Sequence, residues 1–531
     1  MAKPHSPVKK TKNGVLNGKH EQTVERTWRD DFHESFEETP LIAAMYTYLS
    51  YIMLAIFGHI RDVCYYYGLR HAGQGTEPEI KGFVPLYSSW ENFFLRHMYR
   101  LIRDSWDRPV GSVAGAKIDI LERVSHDHCW HFELTGKRLH VLNFGSYNYL
   151  GFGENKGPCV EKVEEITKQC GLGIAASRQD YGYMEIHKEL DELVADFLGL
   201  EAAITFPMGF ATNSMNLPCL VRKGCLILSD DMNHASIVLG AKLSGAVVKI
   251  FKHNDAKDLE HKLKESIIHG QPKSMRPWKK ILIVVEGIHS MEGSILPLPD
   301  IIKLKKKYKA YIYLDEAHSI GALGPHGRGV TDYFGIDPKE IDVMMGTFTK
   351  SFASAGGYIA GSKKLINYLR VYSHSSVYSC VMSPPIAQQI IASMKIIMGL
   401  DGTGEGQRRI NQLLINARYF RRGLHKIGVI VYGNRDSPVV PLLIYNPSKI
   451  SLFSRETLKR GLATVVVGFP ATALIEGRAR FCVSAAHTKE MMDEALRLIA
   501  EVADIVRIRF SRLPLSHFCI DDVPFPVSIL I

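Results

Sequence analysis

Cysteine is scarce and unpatterned in this sequence. The 531 residues include nine cysteines, and none of them stands in a C-x-x-C pair or at the spacing of a metal-binding motif. A chain of this length buries enough surface to be stable without disulfides. We therefore expect reduced thiols and a domain that faces the cytosol.

A clustered excess of charge is also missing from the body of the chain. The net charge is +10, and five lysines in the first twenty residues supply half of it. Nucleic-acid binding usually needs basic residues gathered on one folded face. The remaining charge is spread out, which argues against a nucleic-acid-binding protein.

Long uncharged runs without proline are absent except at residues 41–60, which read LIAAMYTYLSYIMLAIFGHI. A helix of that length spans about 30 Å, the thickness of a bilayer core. A single run excludes a multi-span protein and predicts one transmembrane anchor, with a buried core helix as the alternative. Orientation is not settled by charge, because two basic residues lie within twenty residues of each end of the run.

The body of the chain alternates between two patterns. Short runs such as 281–287 and 310–318 are apolar on both faces, as buried parallel strands are, and helical patterns such as 255–267 separate them. This alternation predicts an α/β fold with a mostly parallel central sheet between helices.

Changes of pattern along the chain give a domain organisation. We predict a flexible tail at 1–40, a transmembrane anchor at 41–60 and an interfacial segment at 61–135. A large domain follows at 136–400, a small C-terminal α+β domain at 401–512 and a second tail at 513–531.

Lys350 lies in the segment GTFTKS, directly after an apolar strand pattern. Desolvation of a lysine at such a place lowers its pKa and leaves the amine free to form a Schiff base. Thr347 and Thr349 offer hydroxyl groups for a phosphate. Taken alone, an ordinary surface lysine is the alternative.

Asp315 ends another apolar run, in the segment LDEAHS. A carboxylate there is costly unless it meets a cation, and a pyridinium nitrogen is one. His318, three residues further on, is within reach of a ring hydroxyl. A helix cap is the alternative for Asp315.

Three further segments carry weaker signals. Gly209 follows a strand pattern, where backbone N–H groups can approach a phosphate, although a plain turn is the alternative. His234 also follows an apolar run and is either a ring-stacking or a structural histidine. Arg478 and Arg480 alternate on one strand face and either hold a substrate carboxylate or are solvated.

The order and spacing of these segments along the chain are together more specific than any one of them. Between about residues 140 and 500 the chain resembles the α-oxoamine synthases, pyridoxal-phosphate (PLP) enzymes of the fold-type I aminotransferase class. The motifs that carry the resemblance are NFGSYNYLG (143–151), YLDEAHSIGALGP (313–325), GTFTKSF (346–352), VVVGFPAT (465–472) and RARFCVSAAHT (478–488). Within the family, the likeness is to the catalytic subunits that condense L-serine with a long-chain acyl-CoA to 3-ketosphinganine, the first step of sphingolipid synthesis.

The resemblance implies a role for each matching residue. Lys350 forms the Schiff base and moves protons, Asp315 pairs with the pyridinium, and His234 stacks on the ring. The remaining roles are a contact with the ring hydroxyl by His318, phosphate binding by Gly209, Phe210 and Thr347, and contacts with the substrate carboxylate by Asn148 and Arg480. No metal is implied.

The resemblance also implies partners and a location. It predicts a heterodimer with a related subunit that lacks the lysine, small activating and regulatory membrane subunits, and a single-pass protein of the endoplasmic reticulum with its catalytic domain in the cytosol. The alternatives are another family member, such as 5-aminolevulinate synthase or 2-amino-3-ketobutyrate CoA ligase, and a non-catalytic scaffold subunit. Pro207, His289 and Ala353 depart from the family pattern.

Overall fold

A seven-stranded sheet forms the centre of the protein, which is described by a computed structural model. The structure describes residues 28, 32, 34–69, 80–84, 86 and 89–514. The predicted tails at 1–40 and 513–531 therefore lie largely outside the described residues, and the predicted domain boundaries stay a prediction.

The central sheet has the strand order β4-β10-β9-β8-β7-β5-β6. Its strands, in chain order, are β4 Ala202–Phe206, β5 Leu226–Asp230, β6 Val247–Phe251, β7 Ile281–Glu286, β8 Tyr311–Asp315, β9 Val343–Thr347 and β10 Gly357–Gly361. All neighbouring pairs are parallel except the two that β10 makes. The mostly parallel sheet predicted from the sequence is confirmed.

Helices cover both faces of this sheet and also build the C-terminal part. They are α1 Leu41–Tyr66, α2 Ser89–His97, α3 Pro158–Cys170, α4 Glu185–Leu198, α5 Gly209–Ser214, α6 Leu217–Leu220, α7 Ala235–Ser244, α8 Ala256–His269, α9 Leu298–Tyr308, α10 Val330–Phe334, α11 Lys363–Tyr372, α12 His374–Tyr378, α13 Pro384–Ile397, α14 Glu405–Ile427, α15 Pro447–Lys459 and α16 Lys489–Val506. Short 3₁₀ helices span Tyr99–Ser105 and Pro338–Glu340.

Local sequence explains where many helices begin and end. Asp255 caps α8 by accepting hydrogen bonds from the N–H groups of Lys257 and Asp258. Gly199 ends α4 in the left-handed conformation that glycine adopts at low cost. These signals set the start of α8 and the end of α4.

Smaller sheets complete the fold. In the C-terminal part, β12 Val439–Tyr445, β15 Gly477–Cys482 and β14 Val465–Val467 form an antiparallel sheet in that order. A second sheet joins β13 Leu462–Ala463 to the hairpin of β2 Lys117–Val124 and β3 Glu133–Asn143. A third pairs β1 Glu34–Ser35 with β11 Gly433–Asn434.

The N-terminal helix α1 differs from the others in its burial. It continues six residues beyond the predicted run, to Tyr66, and buries only Ala43, Thr47 and Gly58. Among the described residues it is the one helix long and apolar enough to cross a membrane. Ala43 packs on Tyr432 and Tyr445 of the C-terminal part, so α1 is attached to the folded body through small side chains.

The eight cysteines within the described residues are all free thiols, in line with the reduced state predicted from their spacing.

Candidate active site

Three neighbouring strands deliver polar side chains to one edge of the central sheet. Glu286, Asp315 and Thr347 are the last residues of β7, β8 and β9. Glu286 lies opposite Asp315 in the parallel register. Because parallel strands end at the same edge, these groups meet in one cleft, as is usual for sites in open α/β sheets.

Lys350 lies three residues beyond the end of β9 and reaches into this cleft. Burial lowers the pKa of Lys350 to about 8, against the opposing effect of the carboxylates of Asp315 and Glu286. Its Nζ lies 5.8 Å from the centre of the Tyr147 ring. The amine is therefore a better nucleophile near neutral pH than a solvated lysine.

Asp315 is buried and held in a fixed orientation. Its Oδ2 accepts a hydrogen bond of 2.7 Å from Asn213 Nδ2, and its Oδ1 accepts one of 2.8 Å from the N–H of Ala317. Tyr313 donates its hydroxyl to Asn213 Oδ1 at 2.7 Å. The amide of Asn213 is thereby oriented with its NH₂ toward Asp315.

His234 stands at the N-terminus of α7, with much of its ring exposed to the cleft. Its Nδ1 lies 2.8 Å from Ser236 Oγ, and its backbone N–H donates to Glu286 Oε1. Desolvation by the cleft walls lowers the pKa of His234, and Lys350 adds to this. The neutral imidazole is therefore favoured, and its ring meets that of Phe210 edge to face at 6.0 Å.

Glu286 is the second buried carboxyl group of the cleft. Burial and the nearby charge of Asp315 raise the pKa of Glu286 well above its ordinary value. The protonated form of Glu286 is therefore favoured.

His318 is buried against Tyr147 and Tyr149. Its Nδ1 is 2.8 Å from the hydroxyl of Tyr149, and the rings of His318 and Tyr147 meet edge to face at 5.4 Å. Burial and the charge of Lys350 lower the pKa of His318 well below its ordinary value. His318 is neutral at physiological pH.

Gly209 and Thr347 approach each other closely at one end of the cleft. A Cβ atom on Gly209 would lie 2.7 Å from Thr347 Oγ1, so only glycine fits without a shift. Thr347 Oγ1 donates to the carbonyl of Gly356 at 2.9 Å and lies 2.9 Å from Thr349 Oγ1. Gly209 and Phe210 begin α5, where backbone N–H groups lack an intrahelical acceptor.

Arg480 projects from β15 of the C-terminal part towards the same cleft. It is buried, donates to the hydroxyl of Tyr147, and lies 4.7 Å from the centre of that ring. Its Nε has no hydrogen-bond partner among the described residues. An anion beside Arg480 would satisfy this buried donor.

Arg478 has the same position in the strand pattern but different contacts. It donates to the carbonyls of Met291 and Glu476 at 2.9 and 2.8 Å, and to the carboxylates of Glu292 and Glu476 at 3.2 and 2.8 Å. Its guanidinium is saturated by these structural contacts and is not available to a ligand.

Both polar atoms of the Asn148 side chain are bonded to the backbone. Its Nδ2 donates to the carbonyl of Ala114 at 2.9 Å, and its Oδ1 accepts from the N–H of Gly153 at 3.1 Å. The structure brings the other predicted residues together, whereas Asn148 would have to exchange a contact to bind a ligand.

Sequence reasoning did not single out Glu286, Asn213, Tyr147 or Tyr149 as site residues. Glu286 could have been found by the rule used for Asp315, since it also ends an apolar strand pattern. Asn213 and the tyrosines carry no local signal, because only their contacts across the fold reveal them.

Comparison with known proteins identifies the family of this chain. Residues 140–499 match the family model for aminotransferase class I and II. Human serine palmitoyltransferase 3 is 53% identical over 504 residues, which cover 94% of this chain and 91% of the relative. Serine palmitoyltransferase 2 of Caenorhabditis elegans is 52% identical over 90% of this chain and 86% of the relative.

Solved structures give the same result. A serine palmitoyltransferase with a PLP internal aldimine is 26% identical, covers 76% of this chain and 94% of its own, and superimposes with a TM-score of 0.67. The S. paucimobilis enzyme with a bound PLP–myriocin aldimine is 25% identical, covers 80% of this chain and 100% of its own, and has a TM-score of 0.69.

These matches confirm the family, the fold type and the PLP dependence that the sequence predicts. The buried lysine, the carboxylate and the exposed imidazole face thus occur in a fold whose solved relatives hold PLP. The chain therefore belongs to the serine palmitoyltransferases of the α-oxoamine synthase family, which are PLP-dependent acyltransferases of fold type I.

Proposed function

We propose that this chain is the catalytic subunit of a serine C-palmitoyltransferase, which condenses L-serine with a long-chain acyl-CoA to 3-ketosphinganine, CO₂ and free CoA. The observation that carries the proposal is the meeting of Lys350 and Asp315 in one buried cleft, at the ends of adjacent strands. A scaffold subunit has no need of a desolvated lysine there.

The residues of the cleft fit PLP in chemistry and in order. Lys350 offers an amine to the aldehyde, Asp315 offers a carboxylate to the ring nitrogen, and His234 offers a ring face. His318 lies where it can contact the ring hydroxyl. The close approach of Gly209 and Thr347, with Phe210 at the start of α5, suits a phosphate group.

Asp315 supports catalysis through its charge. PLP, when bound, supplies a conjugated ring that accepts the electrons of the serine α-carbon. A carboxylate beside the ring nitrogen keeps this nitrogen protonated, since a charge pair at about 4 Å is worth roughly 4 kcal/mol before desolvation at an effective dielectric near 20. Asn213 holds the carboxylate in position.

Lys350 moves the proton. Its pKa of about 8 lets a substantial fraction of the amine stay neutral near pH 7.5, so it can take the α-proton of serine and return a proton after CO₂ is lost. The Tyr147 ring lies near both groups, with its centre 5.8 Å from Lys350 Nζ and 4.7 Å from the Arg480 guanidinium carbon.

Arg480 binds the serine carboxylate in this proposal. The unpartnered Nε is the available donor, and a guanidinium matches a carboxylate in shape. Asn148 is a weaker candidate for the same contact, because it first has to release Ala114 or Gly153.

Membrane attachment follows from α1. Apolar side chains along this helix are exposed, among them Leu49 at 53%, Ile52 at 55% and Phe57 at 53%. We place this surface in the endoplasmic reticulum membrane, with the catalytic part in the cytosol where acyl-CoA and PLP are found. A product with a long hydrocarbon chain can then leave directly into lipid.

A related subunit without the lysine is the proposed heterodimer partner. Exposed apolar side chains lie at the start of α5 and on or just before α7, namely Met208, Phe210, Met232, Val238, Leu239 and Leu243. Such a patch is typical of a protein interface. Small activating and regulatory membrane subunits are proposed near α1.

The first test is spectroscopic and uses the complex purified from membranes. We expect a visible absorbance band of bound PLP that borohydride bleaches. Lys350→Ala should remove the band and lower turnover by at least about 10²-fold. Lys364→Ala, an exposed lysine at the start of α11, is the matched control. A retained band in Lys350→Ala would refute the assignment.

The second test concerns the substrates. Products from serine, glycine and alanine, each with a panel of acyl-CoAs, should show that serine and long-chain acyl-CoA are preferred. Preference for glycine with a short acyl-CoA would instead assign another reaction of the family.

A further inference from the structure

A second cluster of chemically active side chains lies next to the PLP cleft. Asp230 ends β5, His253 follows β6 by two residues, and His289 follows β7 by three. One ligand atom from each residue lies within 4.8 Å of the other two. The cluster is separate from the residues assigned to PLP and to the substrate.

The distances between these groups suit a metal ion. Asp230 Oδ1 is 2.9 Å from His253 Nδ1 and 3.6 Å from His289 Nε2. The two imidazole rings are nearly perpendicular, with centres 4.3 Å apart. Ligand atoms around tetrahedral zinc lie about 3.3 Å from each other when the bonds are about 2.0–2.1 Å long. Small shifts of the side chains would complete this geometry.

His289 is the least satisfied member of the cluster. It is fully buried, and neither ring nitrogen has a hydrogen-bond partner among the described residues. Its 3.6 Å approach to Asp230 is too long for a hydrogen bond.

The other two members are already oriented by their neighbours. His253 Nε2 lies 2.6 Å from Ser294 Oγ. Its Nδ1 is hydrogen-bonded to Asp230 Oδ1 at 2.9 Å and would exchange that hydrogen bond for a bond to the metal. Asp230 accepts hydrogen bonds from the N–H groups of Met232 and Asn254 at 3.0 and 2.9 Å. These contacts resemble the outer shell that orients ligands in metalloproteins.

We propose that Asp230, His253 and His289 form a zinc site that joins the ends of β5, β6 and β7. Two imidazoles and one carboxylate favour zinc over magnesium or calcium, which prefer oxygen ligands. The ion would brace the strand ends beside the PLP cleft.

Zinc content of the purified, PLP-loaded full-length complex tests the proposal. The protein is incubated with zinc sulfate, freed of unbound metal by gel filtration, and analysed by mass spectrometry for metal and by absorbance for PLP. The ligand variants His289→Phe and His253→Gln should each lose the zinc ion that the unmodified catalytic chain retains. His261→Gln, an exposed histidine of α8, is the matched control and should retain it.

If a ligand variant fails to fold, a substitution of a residue that orients a ligand, without binding the metal itself, still tests the proposal. Ser294→Ala keeps all three ligands and should weaken zinc binding about 10–100-fold, measured by competition with a chromophoric chelator. Lys350→Ala should lose PLP absorbance and keep its zinc, so failure of the proposed catalytic function is distinguished from failure of the metal site. Absence of retained zinc in the unmodified chain, or equal zinc in it and in both histidine variants, overturns the proposal.

Discussion

The strand ends around Asp315 and the helix α1 both reverse the usual placement of side chains, in opposite ways. At the strand ends the carboxyl groups of Glu286 and Asp315 are buried, whereas α1 leaves most of its apolar side chains exposed. The first reversal is confined to a small cleft and matches a charged, planar ligand. The second extends over 26 residues and matches lipid. Buried carboxyl groups thus indicate a charged ligand, and exposed apolar side chains indicate lipid.

The largest effect is expected from removing the charge at the strand end. Asp315→Asn keeps the shape of the side chain but not the charge that holds the ring nitrogen protonated. Turnover should fall by up to about 10³-fold, the equivalent of roughly 4 kcal/mol. Asp196→Asn, an exposed aspartate of α4, is the control. Nearly normal turnover with full PLP content would contradict the pairing.

The next effect concerns α1. Ile52→Lys places a charge in the exposed apolar surface and should cost about 3 kcal/mol if that position lies in hydrocarbon, which is more than 10²-fold in membrane partition. Sedimentation of membranes after carbonate treatment measures it. Ile268→Lys, at an isoleucine of α8 that is more exposed than Ile52, should leave fractionation unchanged.

The amine of Lys350 gives a pH-dependent effect. Since its pKa is lowered to about 8, the neutral fraction in the apoprotein rises about tenfold between pH 7 and pH 9 and then levels off. The rate of PLP capture, followed by stopped-flow absorbance, should have the same profile. A rate that keeps rising to pH 10 would indicate a solvated lysine.

The smallest effect is expected from substituting a closely packed glycine, either in the cleft or in α1. Gly209→Ala brings a methyl group to 2.7 Å from Thr347 Oγ1 and should weaken PLP binding about fivefold, or about 1 kcal/mol. Gly58→Ala, in α1, meets the ring of Phe93 at 2.6 Å and should leave PLP affinity unchanged. Equal PLP affinities in the two variants would contradict the phosphate site at Gly209.

Local pattern was sufficient to predict the fold and the family. The strands are apolar on both faces, and Lys350 and Asp315 stand directly after or at the end of such runs, so their meeting at one edge follows from parallel topology. The α1 helix was equally visible, because its apolar run is long and continuous. The sequence did not reveal that small residues such as Ala43 attach it to the C-terminal part.

Residues with the same local pattern can differ in their tertiary contacts. Arg478 and Arg480 alternate on one strand, yet Arg478 is saturated by Glu292 and Glu476 while Arg480 keeps a free donor. Asn148 fits its motif but bonds to backbone. No feature of the sequence around these positions distinguishes the two outcomes.

The amino-acid sequence by itself determined the mostly parallel sheet, the polar residues at its strand ends and the apolar helix, because periodicity and strand-end position are local properties of the chain. The tertiary structure alone decided which polar groups meet, as in the contact of Asn213 with Asp315 and the cluster of Asp230, His253 and His289. Such contacts join residues from different strand ends, and their distances are set by strand register and helix packing rather than by spacing along the chain.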